Sequence, residues 1–186
     1  MSRKCGDCQL CCKLLPVDEG IRVDFSSGRP HAVGAGWHKP ANTKCQHQGR
    51  AGCRVYGRGA MPECCKLWNC RWLVDDPERL LPRPDRAGYV IDVMPDIISM
   101  TDNDSGATSV MEVVQVWVDP ARRESYRDER LLAYLEKVGK PVVVRFSSTE
   151  GITMFPPALT GGRGWVEHES ANNPELVEER RRHFGF

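Results

Sequence analysis

The residues best equipped for chemistry are nine cysteines, all within the first 70 of 186 positions. Four are packed into Cys5-Gly-Asp-Cys8-Gln-Leu-Cys11-Cys12, and five follow at Cys45, Cys53, Cys64, Cys65 and Cys70. Thiols used as small core hydrophobes would be spread along the chain, whereas thiols gathered around a metal are segregated in this way. A Cys-x-x-Cys pair brings two sulfurs to one ion, because the turn between them aims both side chains inward. If a helix starts at 8 and runs to 15, Cys8, Cys11 and Cys12 share one face at i, i+3 and i+4. Neighbouring residues diverge by about 100° around a helix, so Cys11 and Cys12 need not address the same metal atom. That arrangement suits a multinuclear centre or two centres. A single structural zinc takes four ligands and would leave half the thiols unused.

The second group supplies further ligands. Cys45 and Cys53 flank a loop containing His47, and Cys65 and Cys70 bracket Lys-Leu-Trp-Asn. The candidate metal ligands are therefore Cys5, Cys8, Cys11, Cys12, Cys45, Cys53, Cys65 and Cys70, with Cys64 the extra ninth. Eight thiolates suffice for two zinc ions or for one or two iron–sulfur clusters. The first run is like the ferredoxin series Cys-x2-Cys-x2-Cys but lacks its x3-Cys-Pro ending, and it lacks the two spaced knuckles of a zinc ribbon. Sulfur ligation alone admits both metals. His31, His38 and His47 lie between the cysteine groups and read as loop histidines.

Cys5-x-x-Cys8-x-x-Cys11-Cys12 resembles the namesake pattern of the CxxCxxCC, or YkgJ-type, family of zinc- or iron-chelating cysteine clusters. That family continues with a cysteine, a loop, Gly-x-Cys-x-Ile-Tyr, and Arg-Pro-x-x-Cys-Arg-x-Phe-x-Cys. Here Cys45 precedes Gly52-Cys53-Arg54-Val55-Tyr56, and Arg58 precedes Pro62-Glu63-Cys64-Cys65-Lys66-Leu67-Trp68-Asn69-Cys70. The resemblance covers residues 5 to 72 and implies that Cys53, Cys65 and Cys70 occupy family ligand positions. Arg58 and Pro62 are split by three residues where the family has them adjacent, and Lys66 and Trp68 stand where Arg and Phe are usual. Cys65 is favoured over Cys64 because it keeps the Pro-x-x-Cys and Cys-x4-Cys spacings. Some relatives resemble iron–sulfur proteins, including a protein-lysine methylation enzyme that carries this motif, an activity that a cysteine motif alone does not carry over.

The remaining features set the context. The net charge of +1, with 27% charged residues, gives no basic excess for a nucleic-acid partner. No run approaches the 18 apolar residues of a membrane helix, and no signal peptide is evident, so the expected location is the cytoplasm. In that reducing compartment the cysteines should be thiols rather than disulfides.

Residues 1–75 are loop-rich, broken by Gly20, Gly28, Pro30, Gly34, Gly36 and Pro40, and read as a cysteine-rich metal-binding module. Residues 76–86 carry three prolines and read as a connector. Residues 76–186 read as an α+β portion. β-Branched runs at 89–100 and 109–118, separated by the turn signal Asp102-Asn-Asp-Ser-Gly106, predict a hairpin. Both faces of the second run are apolar, which predicts cover on two sides. Asp119-Pro120 predicts the start of a helix with its buried stripe on Leu131, Tyr134, Leu135 and Val138, closed by Gly139 and Pro141. Strands are expected at 142–146 and 151–155, and a charged helix at 174–184. The expected architecture is α+β: a cysteine lobe packed on a small antiparallel sheet with one or two helices.

The sequence has no recognisable nucleophile–base pair, and neither Gly161–Gly164 nor Asp102–Gly106 has the residues of a phosphate-binding or calcium loop. The function expected is that of a metal-binding protein, as sensor or carrier, without catalysis of its own. The alternative is a metal-dependent or redox enzyme of protein-modification type, with the cluster as its cofactor.

Overall fold

The computed structural model describes residues 3, 5–18, 22–24, 31–33, 38–94, 96–101 and 104–168. The expected helix at 174–184 lies outside these residues. Among the described residues no helix is long and apolar enough to cross a membrane.

The first 75 residues form short elements, as their glycines and prolines require. In order they are α1 (Leu10–Leu14), β1 (Val17–Asp18), β2 (Arg22–Asp24), β3 (His31–Val33), β4 (His38–Lys39), β5 (Gln48–Gly49), β6 (Gly52–Cys53), α2 (Glu63–Leu67) and α3 (Arg71–Val74). The strands make two-stranded antiparallel pairs, β1 with β4, β2 with β3 and β5 with β6.

The rest is an α+β layer built on one six-stranded sheet. Its elements are α4 (Pro84–Ala87), β7 (Tyr89–Ile91), β8 (Asp96–Thr101), β9 (Thr108–Val118), a 3-10 segment (Pro120–Arg127), α5 (Glu129–Val138), β10 (Val142–Arg145), β11 (Gly151–Phe155), α6 (Pro157–Thr160) and β12 (Val166–His168). The strand order is β12-β11-β10-β9-β7, with β8 also paired to β9. The predicted hairpin forms, but its first arm is two strands. The register shifts by two residues between Ile91↔Val116 and Asp96↔Val113; the Asp92 N–H still donates to the Gln115 carbonyl at 2.9 Å, so the bulge lies between Asp92 and Asp96.

The sheet is mixed rather than wholly antiparallel. β9 and β10 run parallel, with Val142 opposite Val114, because the connection between them crosses over through α5. The predicted single helix is two elements. Arg122 leaves helical geometry (φ −133°, ψ 51°), and its guanidinium donates to the carbonyls of Arg86 and Asp85. α5 then starts afresh on its own cap, the Asp128 carboxylate accepting from the N–H groups of Arg130 and Leu131 at 2.9 and 3.1 Å. Leu131, Tyr134 and Leu135 are buried and Val138 packs beside them, as the spacing predicts. Gly139, at φ 69°, ends the helix in the left-handed region.

β9 is the spine of the molecule. Val114, Val116 and Val118 face the core that α5 closes with Leu131 and Leu135. On its other face Trp117, with its cross-strand partner Val90, packs against Leu10 and Leu14 of α1. The two-sided cover predicted for this strand is present over 113–118. It stops short of Val110, which is 63% exposed where the hairpin projects past the core. The second cover is the helix that carries Cys11 and Cys12.

Polar contacts fix the same junction. The Lys13 ammonium donates to both oxygens of Asp119, at 2.8 and 3.0 Å. Asp119 also caps the 3-10 segment, accepting from the Ala121 N–H. Burial alone would raise the Asp119 carboxyl, but Lys13 and the Ala121 N–H outweigh it and hold the group below its usual value. A lowered carboxyl stabilises the fold above its unfolded pKa, and this contribution fades as pH falls through the folded value. Asp119→Ala is therefore expected to cost about 1–2 kcal/mol near neutral pH, chiefly through the lost cap. Urea unfolding of variant and parent at neutral and strongly acidic pH checks this: the difference should shrink in acid, where only the neutral cap remains.

Candidate metal centre

The Cys5-x-x-Cys8 segment is a tight turn. Gly6 adopts φ 56°, and the Cys8 N–H donates to the Cys5 carbonyl at 3.0 Å. The helix begins two residues later than the spacing predicts, at Leu10, so Cys8 precedes it rather than sharing its face. Leu10 and Leu14 turn into the apolar junction, Cys11 packs against it, and the Cys11 and Cys12 sulfurs lie 4.0 Å apart.

Each later cysteine is delivered by its own local device. Cys45 sits in a turn whose carbonyl accepts from the Gln48 N–H, and its sulfur accepts from the His47 N–H at 3.4 Å. Cys53 pairs with Gln48 across β5 and β6. Its neighbour Gly52 has φ 115°, and a Cβ there would lie 2.4 Å from the Gly6 carbonyl oxygen. That close approach brings the β5–β6 hairpin against the first cysteine turn. Cys64 and Cys65 lie on α2.

Cys70 stands at the N-cap position of α3 and bridges to Asp92, just before the bulge of the sheet. Asp92 is a hub: its carboxylate accepts from Trp68 Nε1 and the Met94 N–H, both at 2.8 Å, and its carbonyl accepts from Arg71 Nε at 2.9 Å. Trp68 packs on the Leu10–Trp117 junction, in keeping with a packing role.

The nine thiols are free of disulfides and form one neighbourhood. Cys5 lies within electrostatic reach of Cys8, Cys70, Cys12 and Cys53; Cys45 of Cys12 and Cys53; Cys65 of Cys64, Cys12 and Cys45; Cys11 of Cys12, Cys5 and Cys70. Cys12 is common to all four sets. All eight sequence candidates thus lie within electrostatic reach of one another's set, and so does Cys64, whose thiol acts on its neighbour Cys65. Among the described residues, however, no three His, Cys, Asp or Glu side chains stand in ligating geometry. The sulfurs are gathered without being closed on a point.

Their acid–base state follows from burial and crowding. Burial first, and then repulsion from neighbouring thiolates, pushes Cys5 and Cys65 up to about 12. Burial pushes Cys70 up to about 11 and also raises Cys8 and Cys45. Cys11 is raised by its hydrogen bond with Cys12, which is correspondingly lowered to about 7. A set of mutually repelling soft donors that cannot all ionise alone is chemically matched to a cation that accepts them as thiolates. The donor set therefore fits zinc or iron.

One residue of the site carries no signal in the cysteine pattern. Lys39, on β4 opposite Val17, is 2% exposed, and its ammonium donates to the carbonyls of Lys13, Pro40 and Thr43 at 3.3, 3.0 and 3.0 Å. These carbonyls adjoin the Cys11–Cys12 helix and the turn leading to Cys45. Burial lowers the lysine's pKa, while negative charge on Cys45, Cys12, Cys11 and Cys65 would raise it. His38 beside it is exposed.

Compared with models of known protein families, with curated proteins and with solved structures, the chain finds no match.

Proposed function

We propose that this chain is a metal-binding protein whose clustered thiolates hold an iron–sulfur centre or zinc, acting as a metal or redox sensor or carrier in the cytoplasm. The supporting observation is that thiols from separate stretches of the first 70 residues share one neighbourhood around Cys12. Cys5, Cys8, Cys11, Cys12, Cys45, Cys53, Cys65 and Cys70 are the ligands in this reading, and Cys64 is a spare thiol beside Cys65. The CxxCxxCC pattern supports the same assignment. The partner in this reading is the metal or cluster, with room for a protein partner of unknown identity and with no nucleic acid and no membrane.

Purification without oxygen, followed by elemental analysis and a visible spectrum, tests the proposal. Stoichiometric zinc in a colourless protein identifies zinc, and iron with acid-labile sulfide and visible absorption identifies a cluster. A reduced, folded chain that takes up neither metal rules the reading out.

Loading must also release protons, because the free thiols of Cys5, Cys65 and Cys70 sit at about 12, 12 and 11. Zinc affinity is expected to rise with pH across the neutral range, by up to about tenfold per unit for each proton displaced. Competition with a chromophoric chelator at several pH values gives the slope, and a flat profile would contradict thiolate ligation.

A further inference from the structure

Lys39 has a buried charge in search of a counter-ion. An ammonium has three hydrogens, and all three go to neutral backbone carbonyls. Among the described residues no carboxylate is one of its acceptors. The other lysine of this corner, Lys13, spends its charge on Asp119. Buried cations are retained where an anion compensates them, and the groups whose charge acts on Lys39 are Cys45, Cys12, Cys11 and Cys65. The composition agrees: residues 1–75 carry twelve Lys and Arg against six Asp and Glu, a surplus suited to enclosing negative charge.

We infer that Lys39 is the built-in counter-cation of a net-anionic, all-thiolate centre on the Cys11, Cys12, Cys45 and Cys65 side of the cluster. This rests on the metal-binding reading above and deepens it. A divalent ion held by four thiolates carries two net negative charges, which a buried ammonium offsets. A site of two imidazoles and two thiolates is neutral and would leave Lys39 uncompensated. His47, whose backbone N–H touches the Cys45 sulfur, stands outside the ligand set because the cysteines alone supply four thiolates; three thiolates and one imidazole would still leave one net negative charge, so H47A tests this part separately. Lys39 is a positioning residue: it acts on the ligands, and its three carbonyl bonds hold it between the segments that carry them.

The test is zinc affinity of the reduced full chain, read by chelator competition for the parent, K39R, K39Q, K39M and H47A. Removing the charge in K39Q and K39M should weaken zinc binding about tenfold to a hundredfold, the scale of outer-shell partners, while K39R and H47A stay within about threefold of the parent. If the parent itself binds neither zinc nor iron, the metal-binding reading falls and this one with it. If the parent loads and K39Q binds as tightly, only the counter-cation is overturned. Equal weakening in K39R and K39Q, or loss of near-ultraviolet circular dichroism in K39Q and K39M with K39R intact, makes Lys39 a structural brace and overturns the charge role. A loss of more than about tenfold in H47A overturns the all-thiolate centre.

Discussion

Gly52→Ala is expected to disassemble the cysteine lobe while sparing the sheet. Position 52 combines two demands that only glycine meets. Its φ of 115° lies where side-chain-bearing residues are strained, and a Cβ would stand 2.4 Å from the Gly6 carbonyl oxygen. The obstructing atom is backbone, so no rotamer change relieves the clash. Backbone strain costs about 1–3 kcal/mol, and forced overpacking costs a similar amount. A total of roughly 2–6 kcal/mol is a large fraction of a domain's stability. The displacement falls between the Cys5–Cys8 turn and Cys53, and so splits the thiol neighbourhood. Hydrogen exchange should show lost protection at residues 5–15 and 45–56, with β9 and β10 nearly unchanged, and metal stoichiometry should fall. Retention of full metal content would show that the Gly6–Gly52 approach is dispensable.

The second large effect separates the two faces of β9. Leu14 is fully buried at the junction with Val90 and Trp117, and Leu135 is equally buried on the α5 side. Truncating either to alanine removes comparable apolar volume, with an expected loss of about 2–5 kcal/mol for each. Their consequences for the cysteines should differ. Leu14 is two residues from Cys12, so L14A frees the helix that carries Cys11 and Cys12, and metal affinity should drop together with stability. L135A should lose stability in the same measure, while its folded fraction binds metal like the parent. Chemical unfolding paired with zinc competition on both variants tests this. Equal effects on metal binding would mean that the junction does not position the helix.

Much of the scaffold is legible in the sequence because its signals are local. The Leu131–Tyr134–Leu135 stripe and Gly139 give the helix, and the Asp102–Gly106 turn between β-branched runs gives the hairpin. What the sequence hides depends on distant partners. The break at Arg122 follows from carbonyls of Asp85 and Arg86 that receive its guanidinium, some 36 positions away in the chain. The parallel pairing of β9 with β10 follows from where α5 packs rather than from any residue in either strand.

For the site, the cysteine spacing names the thiols but not how they are held. Asp92 reads as one polar residue in an apolar run, yet it ties Trp68, Arg71 and the Cys70 backbone to the sheet. Lys39, between His38 and Pro40 in a segment broken by glycine and proline, has neither periodicity nor motif to mark it. Only its burial and its three carbonyl partners reveal it. Gly52 directly precedes Cys53 and so falls one place past the glycine of the Gly-x-Cys pattern, where this chain has Ala51; the reason for Gly52 is the contact with Gly6.

The double cover of β9 also bears on how this chain could be divided. A fragment starting at residue 76 would bare Val90 and Trp117, and an isolated cysteine segment would bare Leu10 and Leu14 in turn. Neither half would be a clean module. Insertion, deletion or fusion at the 76–86 connector would act as a lesion in a shared interior.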